Sequence, residues 1–288
     1  MKKIVAFLLL ACLAVPCSAA ASENEVLEAV RSAEARLKAR VGVAIYDTAS
    51  GENWLYQADD RFPMASTFKV LACAALLAKT DAGTESLDRK VKVARSDLVT
   101  YAPVTEKLVG QEASLGTLCA ATMRTSDNTA ANIVLDALGG PEAVTAFMRS
   151  IGDDVTKLDR REPDLNEARP GDLRDTTSPA AMATSLRRLV EGTALSPASR
   201  DQLIEWLAGN EVGGPLLRAG IPQDWRIGDR TGAGGYGTRG VVAVIWPPDR
   251  APLFAAIYIT GTGSPMEDRN RAIAGIGKAF ANTVSASE

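Results

Sequence analysis

Ser66 and Lys69 stand three residues apart in Phe62 to Lys79, FPMASTFKVLACAALLAK, where an apolar stretch begins. On a helix, positions i and i+3 share a face, so the amine falls within reach of the hydroxyl, the geometry of an activated nucleophile. The first turn of a helix also leaves backbone N–H groups unpaired, with the positive end of the dipole behind them. The Ser66 amide can therefore help hold a developing oxyanion. A bare Ser-x-x-Lys is more often plain helix surface than a catalytic pair, so its weight depends on what else the chain supplies.

Three further groups supply it. Ser126-Asp127-Asn128 lies in TMRTSDNTAAN between two helical patterns. Its ordinary reading is a helix N-cap; its chemical reading is a hydroxyl that passes a proton to a leaving nitrogen, with the Asn128 amide orienting a carbonyl. Arg230-Thr231-Gly232 falls on a strand whose edge can hydrogen-bond an extended acylamide, and Gly232 permits close approach. Arg230, Thr231 and Arg239 together suit a carboxylate; a solvated edge with scattered arginines is the alternative. Glu162 and Asn166 lie in LDRREPDLNEARPGDLRDTT, a polar stretch without periodicity. Long irregular loops in compact domains usually serve function, and these two side chains can hold a water between them. Arg160 and Asp175 bracket that loop and can pair across its neck, a contact worth at most about 1 kcal/mol if exposed.

The chain contains no histidine. That removes Ser-His-Asp and Cys-His mechanisms and the usual zinc sites, so the base for Ser66 must be Lys69 or a carboxylate, and neither metal nor cofactor is expected. With 46% hydrophobic and 23% charged residues and a net charge of -3, the 288-residue chain has soluble-globular composition and lacks the basic excess of a nucleic-acid or anionic-membrane binder. A small-molecule substrate is expected. Residues 1–21, MKKIVAFLLLACLAVPCSAAA, join two lysines, a short apolar run and small residues, the pattern of a secretory signal peptide. The mature chain is therefore expected to be exported. Of four cysteines, Cys12 and Cys17 would leave with the signal. The remaining pair, Cys73 and Cys119, suggests a disulfide in an oxidising compartment, worth roughly 4 kcal/mol in the chain-entropy model; two buried free thiols are the alternative.

These groups need positioning elements. Apolar spacing predicts an amphipathic helix over 23–40, strands over 41–50 and 52–57, and, after the Ser66 helix, helices over 115–124, 128–138, 142–150, 179–191 and 196–208. Strands follow over 225–232, 240–248 and 252–260, with a closing helix over 265–283. Strands at both ends and helices between them predict an α+β fold: an antiparallel sheet of about five strands built from both termini, with flanking helices and an inserted helical domain. The expected division is 22–61 with 209–288 for the sheet domain and 62–208 for the helical domain, the site lying between them.

In this order, Ser66-Thr67-Phe68-Lys69, Ser126-Asp127-Asn128, the Glu162 to Asn166 loop and Arg230-Thr231-Gly232 resemble the motifs of a class A serine β-lactamase. The resemblance spans essentially the whole mature chain. It implies that Ser66 is the acylated nucleophile, that Lys69 and Glu162 share the base role, and that Ser126 protonates the β-lactam nitrogen. The Ser66 and Ala233 amides would form the oxyanion hole, while Tyr101, Asn128, Asn166, Thr231, Gly232 and Arg239 would bind substrate or water. Arg230 departs from the family's usual lysine. Because arginine stays charged, a proton-relay role there is doubtful and an electrostatic one survives; Arg230 and GAGGYGTR are similar to the carbenicillin-hydrolysing penicillinases. Ala65 and Gly234 stand where the family's carbapenemases have a disulfide, so weak carbapenem turnover is expected. The partners implied are β-lactam substrates and mechanism-based β-lactam inhibitors, and a periplasmic (or, without an outer membrane, secreted) monomer is expected. A penicillin-binding transpeptidase or carboxypeptidase shares much of this motif set, but Glu162 with Asn166 supplies a deacylating base worth about 10² to 10⁴ in rate. A silent β-lactam sensor would need a membrane-spanning or partner domain, and none is legible.

Overall fold

A computed structural model describes residues 19–286, with side chains from 25 onward. The signal peptide expected over 1–21, with Cys12 and Cys17, falls almost wholly outside the described residues. Helix α1 (Ala19–Leu37) leads into the hairpin of β1 (Arg40–Asp47) and β2 (Asn53–Tyr56), where Gly51 takes a positive φ of 80° at the turn. Strand β3 (Phe62–Pro63) and helix α2 (Phe68–Asp81) follow, then the small pair β4 (Lys90–Lys92) and β5 (Glu112–Ser114). Helices α3 (Leu115–Thr125), α4 (Asn128–Leu138) and α5 (Pro141–Ser150) precede a long loop that ends at β6 (Thr176–Thr177). The chain continues through α6 (Pro179–Val190), α7 (Pro197–Ala208), β7 (Arg226–Ala233), β8 (Arg239–Trp246), β9 (Leu253–Thr260) and α8 (Met266–Ala286).

The five-stranded antiparallel sheet has the order β2-β1-β9-β8-β7, so β1 from the amino-terminal end pairs with β9 from the carboxy-terminal end. Both faces are buried, and alternation sorts them. Val241, Ala243 and Ile245 of β8 pack with α1 and α8, in a cluster that includes Val30, Ile276 and Phe280. Val242 and Val244, with Phe254 and Tyr258 of β9, join the other cluster, to which α2, α4 and α6 contribute Phe68, Leu135 and Leu186. The helical segment and the sheet therefore share one continuous core. Strand β7, left at the edge, faces the start of α2. Among the described residues no helix is long and apolar enough to cross a membrane.

The expected disulfide is not formed. Cys73 on α2 and Cys119 on α3 are both free and fully buried, the Cys73 thiol facing the Cys119 carbonyl at 4.0 Å. Burial, with Cys73 alongside, pushes the Cys119 thiol pKa well up, which favours the protonated, unreactive form. An even cysteine count makes a bridge available; it does not set the side-chain geometry.

Candidate active site

Ser66 lies in a short 3₁₀ turn, Ala65–Thr67, just before α2, and not in the α-helix that its spacing predicts. Thr67 tightens this turn by donating from both its amide and its hydroxyl to the Met64 carbonyl, at 3.1 and 2.8 Å. Ala65 is held at a positive φ of 42°, a conformation costly for a side chain that bears a Cβ. Gly232 of β7 packs directly on the turn: a Cβ there would lie 2.8 Å from the Met64 oxygen and 3.1 Å from the Ser66 nitrogen. The close approach expected of Gly232 is thus made to the nucleophile's own backbone.

Lys69, in the first turn of α2, is fully buried, and four oxygens surround its Nζ. It donates to the Ser126 carbonyl at 2.9 Å, Ser126 Oγ at 3.2 Å and Asn128 Oδ1 at 2.6 Å, and pairs with Glu162 Oε1 at 3.1 Å. The direct bond expected between Lys69 and Ser66 is replaced by a bridge, because the Ser66 hydroxyl donates to the same Glu162 oxygen at 3.3 Å. Burial lowers the Lys69 pKa to about 8, with the nearby Arg230 charge acting in the same direction and Glu162 opposing both.

The Ser126 segment serves two purposes. Asp127 caps α4 by accepting from the Ala130 amide at 2.8 Å, so the N-cap reading holds for the middle residue. Ser126 takes a left-handed φ of 68° as the cap of α3, which turns its hydroxyl toward Lys69. The Asn128 amide nitrogen donates to Thr100 O at 2.8 Å, beside Tyr101, itself at a positive φ of 69°.

Glu162 is 3% exposed, on the loop between α5 and β6, and its bond to Pro163 is cis. Asn132 holds its backbone from both sides, accepting from Glu162 N–H at 3.0 Å and donating to Glu162 O at 2.9 Å. Asn166 donates to Glu162 Oε2, and its own Oδ1 is buried without a partner. At the neck of the loop Arg160 Nε donates to Asp175 Oδ2 at 2.6 Å. The pair is not the exposed contact that the sequence suggests: Asp175 is 1% exposed and also accepts from the Asp159 and Arg160 amides at 2.8 and 2.9 Å.

A cavity of about 370 Å³ opens beside these groups, lined by Ser66, Ser126, Asn128 and Asn166 on one side and by Thr231, Gly232, Ala233 and Arg239 on the other, with Tyr101 at its rim. Arg239 is steadied by Nε–H to Asn270 Oδ1 at 2.8 Å and Nη1–H to Gly232 O at 3.2 Å, and burial lowers its pKa to about 10. Arg230 departs from expectation. It is fully buried and not among the lining residues; its Nη2 meets Ser126 Oγ, while Nε and Nη1 have no partner. Successive strand residues face opposite ways, so Thr231 and Arg230 cannot both present their side chains to the cavity.

Sequence reasoning missed Asn132, Val212 and Met266, the last two of which line the cavity. Only Asn132 carried a signal: it lies four residues after Asn128, on the same face of α4.

The chain is similar to known proteins over most of its length. Residues 24–284 match the model of the beta-lactamase enzyme family. Beta-lactamase AER-1 of Aeromonas hydrophila is 51% identical over 263 residues, 91% of this chain and 86% of that protein. Beta-lactamase PSE-4 of Pseudomonas aeruginosa is 48% identical over 280 residues, 96% of each chain. Among solved structures, an ancestral class A β-lactamase superposes with a TM-score of 0.88 at 54% identity, covering 89% of this chain and 99% of its own. The chromosome-encoded β-lactamase of Vibrio parahaemolyticus gives a TM-score of 0.88 at 44% identity, covering 90% of this chain and 98% of its own.

Proposed function

The chain belongs to the class A β-lactamases, and from that premise we propose that it hydrolyses the β-lactam amide of penicillins, carbenicillin included, through an acyl-enzyme on Ser66. The observation that carries the reading is the Glu162 oxygen shared by the Ser66 hydroxyl at 3.3 Å and the Lys69 amine at 3.1 Å. A proton leaving Ser66 Oγ passes to Glu162, or to Lys69 in its neutral form, as the oxygen attacks the lactam carbonyl carbon. The oxyanion that forms is held by the Ser66 and Ala233 amides, both on the cavity wall. When the ring C–N bond breaks, Ser126 gives its proton to the nitrogen and is resupplied from Lys69, 3.2 Å away.

Deacylation uses Glu162 again, once any proton it took from Ser66 has passed to Lys69, 3.1 Å away. A water between its carboxylate and Asn166 loses a proton to Glu162 and attacks the ester carbonyl; the ring-opened acid leaves as Glu162 returns that proton to Ser66 Oγ, 3.3 Å away. The unpartnered Asn166 oxygen supports this role, since a buried acceptor of that kind needs a donor. Asn128 and Tyr101 position the substrate, and Thr231 with Arg239 receives its carboxylate. Arg230 supplies positive charge from behind Ser126 without direct contact. The site lies between a helical unit over 62–208 and a sheet unit over 22–61 and 209–288. Residues 1–21 direct export to the periplasm, where the chain acts as a monomer on β-lactams that enter and meets β-lactam inhibitors at the same serine.

Absorbance and intact-protein mass spectrometry, recorded as the mature protein meets excess benzylpenicillin and carbenicillin, test the reading. Many turnovers with little lasting adduct are expected. A stable Ser66 adduct without turnover would indicate a penicillin-binding protein or sensor.

A further inference from the structure

Behind the wall formed by β7, two buried side chains that take no part in the steps above hold each other. Asp229, fully buried on β7 and two residues before Thr231, accepts through Oδ1 from Arg218 Nε at 2.6 Å and through Oδ2 from Asn210 Nδ2 at 3.0 Å. Asn210, itself buried, accepts through its Oδ1 from the Val212 amide at 3.1 Å. Val212 lines the cavity together with Ser66. One side-chain amide thus spans from the carboxylate on the strand to the backbone of the cavity wall.

The connection has little slack. A Cβ at Gly213 would lie 2.3 Å from Asp229 Oδ2 and 2.7 Å from Asn210 Nδ2, so the backbone is pressed against the pair. Arg218 Nη2 donates to the Ala208 carbonyl at 3.2 Å, tying the end of α7 to the same carboxylate. On the other side Glu211 N–H donates to Arg124 O at 2.9 Å, and the Arg124 and Glu211 side chains pair at 2.8 Å. The segment from 209 to 213 is therefore a short span fixed at both ends. Its Asp229 end depends on a buried acceptor that loses its partner if the Asn210 amide is removed.

We infer that Asn210 is a positioning residue for the substrate: by joining Asp229 to the Val212 amide it sets the position of the cavity wall against which the bound β-lactam packs. The inference rests on the reading of this cavity as a β-lactam site. Asn210 does not line the cavity, and Ser66, Lys69 and Glu162 stand on other elements. Its loss should therefore weaken substrate binding and leave the chemical steps in place. Loss of binding common to ground and transition states raises KM at constant kcat.

The test is steady-state kinetics of the full mature protein on benzylpenicillin, comparing the parent with Asn210→Leu and Asn210→Asp. For Asn210→Leu, KM should rise about tenfold, the equivalent of one lost buried hydrogen bond, with kcat within about twofold of the parent. An unchanged KM, or a fall in kcat alone, would overturn the inference. If Asn210→Leu does not fold, Asn210→Asp decides. At about pH 5.5 a protonated carboxyl can still donate to Asp229 and accept from Val212, while at about pH 8.5 two carboxylates repel. Arg218 and Arg230 are the cations that face Asp229 in parent and variant alike. The ratio of the variant's KM to the parent's should be near unity at the lower pH and rise at the higher; a ratio independent of pH would overturn the inference. Absence of turnover by the parent would instead remove the β-lactam reading itself.

Discussion

Lys69 Nζ and Glu162 Oε1 lie 3.1 Å apart, and neither side chain has any surface exposed to solvent. Two charges so deeply buried strengthen each other only because the geometry is close and further hydrogen bonds satisfy what remains. Here the remaining bonds reach two serine hydroxyls. The same Glu162 oxygen meets Ser66 Oγ at 3.3 Å, and the same Lys69 nitrogen meets Ser126 Oγ at 3.2 Å. Ser66, Glu162, Lys69 and Ser126 therefore form one connected path.

Removing Glu162 should separate the two halves of the reaction. In Glu162→Ala, Lys69 is left as the base for Ser66, whereas no carboxylate remains to activate water beside Asn166. Acylation is expected to persist and deacylation to slow by about 10² to 10⁴. Intact-protein mass spectrometry should show the Ser66 adduct accumulating, and parental turnover would remove Glu162 from the mechanism.

The same variant exposes the Lys69 titration. The Lys69 pKa is lowered to about 8 by burial, and Glu162 is the largest influence raising it. Without Glu162 the pKa moves lower still. The neutral amine, the form that can accept the Ser66 proton, increases as pH rises through that value. Single-turnover acylation of Glu162→Ala should accordingly climb with pH to a plateau, with a midpoint below about 8. A rate that is flat between pH 5 and 9, or that falls toward alkaline pH, would count against neutral Lys69 as the base.

Gly232→Ala should disturb the nucleophile without touching its side chain. The added methyl would lie 2.8 Å from Met64 O and 3.2 Å from Thr67 N, all backbone atoms of a turn already held at a positive φ at Ala65. Overpacking of this kind costs about 1 to 3 kcal/mol; if that strain falls on the attacking turn, acylation should slow by roughly 5- to 150-fold. Parental acylation kinetics would show that the turn yields at no cost.

At the neck of the loop, Asp175→Asn replaces a buried acceptor with a donor opposite Arg160 Nε, 2.6 Å away. A loss of about 2 kcal/mol is expected for a charge-assisted bond, seen as a fall in melting temperature of about 5 °C. Because Glu162 rides on this loop, slower deacylation should accompany it. An unaltered melting curve would show that the neck does not depend on the carboxylate.

Much of this was legible because the code involved is local. The apolar, β-branched run in GVVAVIW and the helical spacing around Leu135 report the type of each element, and the structure keeps those elements to within a few residues. The order of the four motifs carries the family resemblance that points to the candidate site residues. Absence of histidine confined the base to lysine or a carboxylate, whatever the fold.

The rest depended on contacts between residues remote in the chain. The Ser66 to Glu162 bond spans 96 residues and the Arg230 contact with Ser126 spans 104, separations over which no local periodicity survives. Tertiary packing therefore decided that Glu162 bridges Ser66 and Lys69, that Arg230 turns inward while Thr231 faces the cavity, and that Asp175 is buried. It also brought Asn132, Val212 and Met266 to the site and left Cys73 and Cys119 as separate thiols. Local residue patterns fix the elements and the chemical groups they carry; which groups meet is settled by the fold, because a side chain's partners follow from how sheet and helices pack and not from the residues beside it.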